Sequence, residues 1–389
     1  MKLRDMSHAG QRRAFLEQQT ATSLKHIGTF TVDEAVAGTR NCENMIGVVQ
    51  VPLGVAGPLM INFQFSIFNS QKKSISKKRN LQSYYVPLAT TEGALVASVN
   101  RGCRAITESG GAHVSVERIG VTRGSVFKRE KSEWHAKEWL TKHFSQLQDI
   151  AHATSQHLTL LRYDVQETGK YAFIRWYFDT GDAMGMNMAT IASQKLADTI
   201  GQQTGMRCVS VAGNYDVDKK PAWINSILGR GRTVRADVVI PKAIVASVLK
   251  TTPQKLEEVW RVKCMIGSGL SGSMGFNAHI ANVVAALFIA TGQDPAHVVE
   301  ASQGMTVVEI DEDGLYCSVT LPALMVGTIG GGTGLATQSE ALQLLNCCGE
   351  GKSDEFAGVV AGAVLAGELS LLASLTEGSL ARAHMKRAR

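Results

Sequence analysis

Leu158-Thr159-Leu160-Leu161-Arg162-Tyr163-Asp164-Val165, a turn at Glu167-Thr168-Gly169, then Tyr171-Ala172-Phe173-Ile174-Arg175-Trp176-Tyr177-Phe178 is the stretch that decides the fold. Both runs alternate along their length and are rich in β-branched and aromatic residues, and a glycine-bearing turn joins them. That pattern predicts a β-hairpin. Outward from it, 116–127 reads as a strand. Residues 133–153 read as a helix with Trp134, Trp139, Phe144 and Leu147 on one side. Residues 186–200 read as a second helix and 207–212 as a last strand.

The order β-α-β-β-α-β is the split βαβ arrangement of ferredoxin-like domains. Helical text resumes after it. Residues 115–213 are therefore expected to form a small domain inserted into a larger one built from 1–114 and 214–389. The larger one is expected to be mainly helical, with a polar helix at 11–19 and helical text at 91–107. Further helices are expected at 242–249, 273–291, 339–345 and 355–375, with Gly378 as the stop of the last. The fold class is α+β.

The chain has 389 residues, 44% of them apolar, which suffices for two packed domains. Its formal net charge of +6 is concentrated in part at 71–79 and 386–389. These read as a solvated loop and a frayed end, or as attraction to a polyanion. No RNA-binding aromatic signature or zinc-ligand spacing accompanies them, so no nucleic acid or metal is expected. The seven cysteines are odd in number and scattered without a CxxC pair, which fits reduced thiols in a cytoplasmic protein. Met1 to Asp5 lack a signal-peptide pattern. The longest apolar run, 356–367, is 12 residues long and Glu368 ends it, so it reads as a buried helix and no membrane anchor is expected.

Three glycine-bearing stretches invite a nucleotide. Gly267-Ser268-Gly269-Leu270-Ser271-Gly272 is a literal GxGxxG after a possible strand, with Asp294 about twenty residues on. In a dinucleotide fold that acid ends a second strand. Here it ends the following helix and precedes Pro295, so a Rossmann dehydrogenase is the weaker reading. Gly327-Thr328-Ile329-Gly330-Gly331-Gly332-Thr333-Gly334 could form an anion-binding concavity before a helix near Leu335, or a purely structural loop. Asp182-Ala183-Met184-Gly185-Met186-Asn187-Met188 reads equally as core methionines or as a helix start that admits a flat cofactor.

Ionisable residues lie beside turn-forming or helix-end residues at Thr90-Thr91-Glu92-Gly93, Asp218-Lys219-Lys220-Pro221, Gly292-Gln293-Asp294 and His384. Each has a plainer reading: Glu92 as a helix-capping acid, Lys219 and Lys220 as an exposed turn, Asp294 as a turn former, His384 as a disordered tail. His279 reads as a hydrogen-bonded core histidine.

Taken in order with Glu43-Asn44-Met45-Ile46-Gly47, Asn100-Arg101-Gly102-Cys103, Gly213-Asn214-Tyr215 and Asn277-Ala278-His279, these words resemble the catalytic region of 3-hydroxy-3-methylglutaryl-coenzyme A (HMG-CoA) reductases. The resemblance spans roughly 10–387 and is nearer the eukaryotic and archaeal class. It implies a helical domain for the acyl-CoA, an inserted domain for NADP(H), and a homodimer or homotetramer with Glu43 to Gly47 in the contact. It implies conversion of HMG-CoA to mevalonate and coenzyme A by two hydride transfers, in isoprenoid supply. Lys219 matches the cation that stabilises the developing oxyanion, and Glu92 the proton-donating acid. Asp294 matches the carboxylate bridging them, and His384 the donor to the departing thiolate on a closing flap, 379–389.

Ser98, Arg123, Lys220, Lys263 and Asn282 match positions holding the hydroxymethylglutaryl group. Asn100, Arg101, Asp182, Met184, Gly185, Met186, Asn187, Gly330 and Gly331 match nucleotide contacts. Three features depart from the family. Ser155-Gln156-His157 stands where many members have serine-arginine for the 2′-phosphate, which leaves NAD (NADH) open beside NADP (NADPH). Ala212 replaces a serine, and the basic connection 69–83 is longer than in most relatives. A non-catalytic acyl-CoA-binding protein is a third reading, opposed by the joint presence of the acid, lysine, aspartate and histidine.

Overall fold

The computed structural model describes residues 6–64, 80–129 and 135–377. It is a mixed α+β fold around a curled mixed sheet. The strands are β1 (Leu53–Gln64), β2 (Asn80–Ala89), β3 (Ala112–Lys128), β4 (Thr159–Thr168), β5 (Tyr171–Asp179), β6 (Arg207–Ser210), β7 (Gly231–Pro241), β8 (Met305–Ile310) and β9 (Gly314–Leu324). The helices of the first half are α1 (Ala9–Thr20), α2 (Glu34–Arg40), α3 (Leu95–Glu108), α4 (Ala136–His152) and α5 (Met186–Thr204). Those of the second are α6 (Trp223–Leu228), α7 (Lys242–Ile244), α8 (Pro253–Trp260), α9 (Ser268–Ser271), α10 (Ile280–Thr291), α11 (Val298–Ala301), α12 (Ala336–Leu344) and α13 (Ser353–Thr376).

β3 is the strand on which the rest is hung, because it belongs to two pairing systems. Its first half lies between β1, to which it is parallel, and antiparallel β7, in the order β2-β1-β3-β7-β9-β8. From Val121 onward it pairs instead with β5, and at its end with β6, both antiparallel; β5 in turn pairs with β4. The change occurs at Gly120, which faces Gly231 at the start of β7. Both have positive φ, +105° and +67°, and a Cβ on Gly231 would press on the Leu324 carbonyl. Glycine is required where two backbones approach this closely.

The expected hairpin and the flanking elements from 116 to 210 are all present, in the expected order. The expectation of a mainly helical remainder is corrected. β1, β2, β7, β8 and β9 make it a helix-covered sheet. The chain alternates there too: Val234, Ala236, Val238 and Ile240 of β7 are buried under the helices while Arg235 and Val239 are exposed, a period-two pattern that the helical expectation passed over. Three smaller differences follow. The helix expected at 273–291 begins only at Ile280, because Gly275 packs its backbone on the Ser302 carbonyl. The possible strand before the GxGxxG is a π-helical continuation of α8, Arg261–Gly267, so the dinucleotide reading has no strand to start from. Of the basic connection at 69–83, Asn80 onward is β2, and the remainder, like Trp134 and Gly378, lies outside the described residues.

Two cores result. One lies between the six-strand system and α3, α10 and α13; the other holds α4 and α5 against β3, β4 and β5. α13 is 24 residues long and apolar enough to span a membrane, but 94% of its most apolar stretch is buried inside the protein. It is the core helix expected from the apolar run. Small residues let it approach its neighbours: a Cβ on Gly102 of α3 would overlap the Ala366 carbonyl of α13, and one on Gly358 would overlap the Phe63 ring.

Gly102→Val should therefore lower unfolding stability by about 2–3 kcal/mol, since overpacking against backbone cannot be relieved by a rotamer change. Gly38→Ala, in α2 with nothing within 4 Å of the added methyl, should be neutral or stabilising by up to about 1 kcal/mol. Denaturant unfolding of the two variants checks the contrast.

Candidate active site

The segment between β6 and α6 carries Asp218-Lys219-Lys220 and is moulded onto the second half of β3. Gly213 N–H donates to the Gly124 carbonyl at 2.6 Å, and Thr122 Oγ1 donates to the Asp216 carbonyl at 2.9 Å. Lys219 lies within this segment at φ +56°. A side-chain-bearing residue held there costs on the order of 1–3 kcal/mol, a cost that surrounding structure must offset. The reward is direction: Lys219 Nζ meets Asp294 Oδ2 at 2.7 Å.

Asp294 sits between the end of α10 and α11. The preceding Gly292 and Gly332 of the glycine-rich loop lie back to back, each so close that a Cβ on either would strike the other's carbonyl. Buried Gln293 accepts from Gly327 N–H at 2.9 Å. The glycine-rich loop thus fixes the turn that presents the aspartate. Burial pushes the Asp294 carboxyl up, but bonds from Lys219 Nζ and the Ala296 N–H, with His297 beside it, outweigh this and hold it below the usual carboxylate value.

Behind the pair lies a buried ionic cluster. Arg230 bonds Glu300 and, at 2.9 Å, Asp218; His297 Nδ1 lies 2.7 Å from Glu300 Oε1. Asp218, His297 and Glu300 have ligand atoms within 4.8 Å of one another, yet the Arg230 guanidinium already supplies the positive charge between the two carboxylates. Arg123, an expected substrate clamp, is mostly buried against Asp216 and Asp218 at 3.5 and 3.4 Å.

Glu92 does not cap α3, whose N-cap is Ala94; its Oε2 accepts from Asn282 of α10 at 2.7 Å. Asn282, His279, Lys263 and Pro221 line an open cleft of about 720 Å³, running past Val298 and Val299 of α11. The structure thus brings together Lys219 with Asp294, and Glu92 with Asn282, as two clusters on elements bordering one cleft. Lys220 Nζ reaches only its own turn, the Asp218 carbonyl at 3.0 Å. His279 is not the hydrogen-bonded core histidine expected: its Nε2 is buried without a partner among the described residues. His384 lies outside them.

The two nucleotide stretches meet each other. Ala183 and Ile329 form a parallel bridge, and a Cβ on Gly327 would overlap the Met184 amide. Gly185, φ +81°, is the N-cap of α5, and Ser155 Oγ lies 3.6 Å from Met188 Sδ in that helix's first turn. Gly330 and Gly331, at φ +78° and +58°, have nothing within 4 Å of where a Cβ would stand. Asn187 and Gln156 are exposed beside this junction. Met186 points inward, its Sδ 3.3 Å from Arg230 Nη2. Asp182 is committed elsewhere: its carboxylate accepts from Gly351 N–H and from Ser353 N–H and Oγ, capping α13. Asn100 accepts from Gly57 N–H, and Ser98 and Arg101 bond to Ser370 of α13. Sequence reasoning did not single out Arg230, His297 or Glu300. The i, i+3, i+6 spacing of Asp294, His297 and Glu300 was the available signal.

With a lysine–aspartate pair, a glutamate–asparagine pair and two glycine-bearing stretches joined in one fold, the chain is an oxidoreductase by family. The family model described as hydroxymethylglutaryl-coenzyme A reductase matches residues 8–389, and the chain belongs to that family. It is 45% identical over 383 residues to the 3-hydroxy-3-methylglutaryl-coenzyme A reductase of Methanocaldococcus jannaschii, covering 96% of this chain and 91% of that protein. It is 46% identical over 384 residues to that of Pyrococcus abyssi, covering 96% and 90%. With that of Catharanthus roseus it shares 41% over 394 residues, covering 97% of this chain and 62% of the plant protein. In fold it is similar to an NADPH-bound class II reductase from Streptococcus pneumoniae, with TM-score 0.70, 18% identity, and 96% and 98% of the two chains covered.

Because Asp294 titrates below its ordinary value, the stabilisation it gives is complete above about pH 3.9 and is lost as pH falls through the lower folded value. NMR titration of its carboxyl should show that low midpoint. Lys219→Ala should move the midpoint upward; an unmoved one would remove the lysine as a cause.

Proposed function

We propose that the protein reduces the thioester of HMG-CoA to the primary alcohol of mevalonate and releases coenzyme A, with Lys219 carrying the main electrostatic load. The observation behind this reading is the 2.7 Å Lys219–Asp294 pair, assembled from two distant turns, the first of which continues through Pro221 to the cleft wall. A fixed ammonium stabilises the alkoxide-like oxygen formed at each reduction step. Asp294 holds that ammonium in place. Glu92, oriented by Asn282, is assigned as the proton donor, and His384 as the donor to the leaving thiolate. Ser98, Lys220, Lys263 and Asn282 are assigned to the hydroxymethylglutaryl group, whose free carboxylate favours cationic partners. Arg123 fits a second role better, aligning Asp216 and Asp218 under the lysine turn.

Residues 115–213 are proposed as a ferredoxin-like nucleotide-binding unit, supported by the strand sequence β6-β3-β5-β4 with α4 and α5 as crossovers. Residues 1–114 and 214–389 would form the acyl-CoA part. The free amides of α5 at Met186 and Asn187, with the open backbone of Gly330 and Gly331, suit a nucleotide diphosphate. Ser155 and Gln156 would stand at its 2′ position. Bound there, NADPH supplies the hydrides. Asp182 serves this junction as a strut at the start of α13, and Arg101 and Asn100, toward the other end of that helix, are assigned to cofactor or coenzyme A phosphates. Exposed Val262, Ile266 and Leu270 beside the cleft support a homodimer or homotetramer that covers them. Seven free thiols are consistent with a cytoplasmic setting.

Lys219→Ala should lower kcat by about 10²–10³ with HMG-CoA and with the free aldehyde, mevaldehyde, alike, because both reductions build charge on oxygen. Activity within a few-fold of wild type in a folded variant would overturn the assignment. Gln156→Arg should raise the preference for NADPH over NADH, measured as the ratio of kcat/KM values, by about tenfold. An unchanged ratio would show that Gln156 does not face the 2′ position.

A further inference from the structure

Three fully buried side chains, Arg230, His297 and Glu300, stand directly behind the lysine–aspartate pair. They meet at one atom. Glu300 Oε1 accepts from His297 Nδ1 at 2.7 Å, from Arg230 Nη1, and from the Lys219 backbone N–H at 3.4 Å. Across the imidazole, His297 Nε2 lies 3.8 Å from Asp294 Oδ2, the oxygen that grips Lys219 Nζ. That nitrogen is buried without a hydrogen-bond partner among the described residues. One carboxylate therefore touches both halves of the pair: the lysine through its main chain, and the aspartate through an imidazole.

We propose that Glu300 and His297 are positioning residues for the Lys219–Asp294 pair, Glu300 holding the left-handed main chain that aims the lysine and His297 backing the aspartate so that its carboxylate stays turned toward Nζ. The proposal rests on the assignment of Lys219 as the oxyanion-stabilising cation. A donor to a developing charge must be held within a fraction of an ångström of its productive place. Lys219 is a flexible side chain, 38% exposed, on a strained turn, so its aim depends on what fixes its main chain and its counter-ion. Two of the three bonds converging on Glu300 Oε1 serve that end. The third, from Arg230, neutralises a carboxylate that would otherwise be costly to bury.

His297→Asn keeps a donor for Glu300 and deletes the atom facing Asp294. It should lower kcat about tenfold or more with HMG-CoA and with mevaldehyde, with both KM values within about threefold of wild type. His297→Gln, whose amide reaches the Nε2 position, should recover part of that loss. Glu300→Gln, which keeps shape and removes charge, should lower kcat at least as far. Placed in a Lys219→Ala background, none of these changes should lower the residual activity further, because they act through the lysine. A kcat within twofold of wild type for His297→Asn would overturn the proposal, as would a loss that persists in full without the lysine. Should Glu300→Gln fail to fold, the His297 variants decide the matter. If Lys219→Ala itself retains activity, the assignment of the lysine falls, and this proposal with it.

Discussion

The guanidinium of Arg230 is the interaction on which the architecture depends. It is fully buried at the start of β7, and its donors reach Thr122 of β3 at 2.7 Å, Asp218 beside the lysine, Glu300 of α11, and Met186 Sδ of α5. An unpaired buried cation costs several kcal/mol, so all of these partners must be in place together. The result is that both pairing systems, the lysine turn, the aspartate helix and the start of α5 are mutually located by one group. Two further arginines extend the seam. Arg175 of β5 bonds Asn225 and the Gly229 carbonyl, and Arg232 of β7 bonds Asp354, Ser353 and the Val326 carbonyl. Burial chiefly pulls both guanidinium values down, Arg230 adding to it at Arg175 and Arg118 at Arg232, while the Asp354 carboxylate beside Arg232 resists it.

Close backbone approach is the second constraint, and it links fold to chemistry. Gly292 against Gly332 holds the aspartate turn on the glycine-rich loop, and Gly327 against Met184 holds that loop on the start of α5. The start of α5 and the lysine–aspartate pair therefore share a rigid connection through one loop. A hydride donor and the charge that stabilises its acceptor must be co-located to act together, and under the proposed function that loop would do so with main chain. Asp182, capping α13 from the same junction, carries the connection into the core.

Much of this was legible in the order of residues. The alternation at 158–178 is genuinely period two because β4 leaves one face partly exposed, so the hairpin and its neighbours could be read. α13 could be read as core because a single carboxylate, Glu368, interrupts its apolar text. That carboxylate is buried and accepts from the Ala278 and His279 amides and Thr306, capping α10 from across the core. β7 and β9 alternate in burial along much of their length, but no glycine-bearing turn joins them in sequence as it joins β4 and β5, so they were passed over. The GxGxxG misled because glycine spacing says nothing of whether a strand precedes it.

By itself, the sequence determined the family and the order of elements around the hairpin, and it singled out the acid, lysine, aspartate and glycines to which the proposed roles attach. These are local matters: period, turn chemistry and short ordered words. Only the tertiary structure decided that Arg123 faces carboxylates, that Asp182 is a strut, that Glu92 belongs to Asn282, and that His297 and Glu300 stand behind the pair. Each is a contact between residues far apart along the chain, or between buried charges whose tolerance depends on neighbours supplied by other elements. No local pattern encodes such a partner, because its energy exists only once the intervening chain has folded.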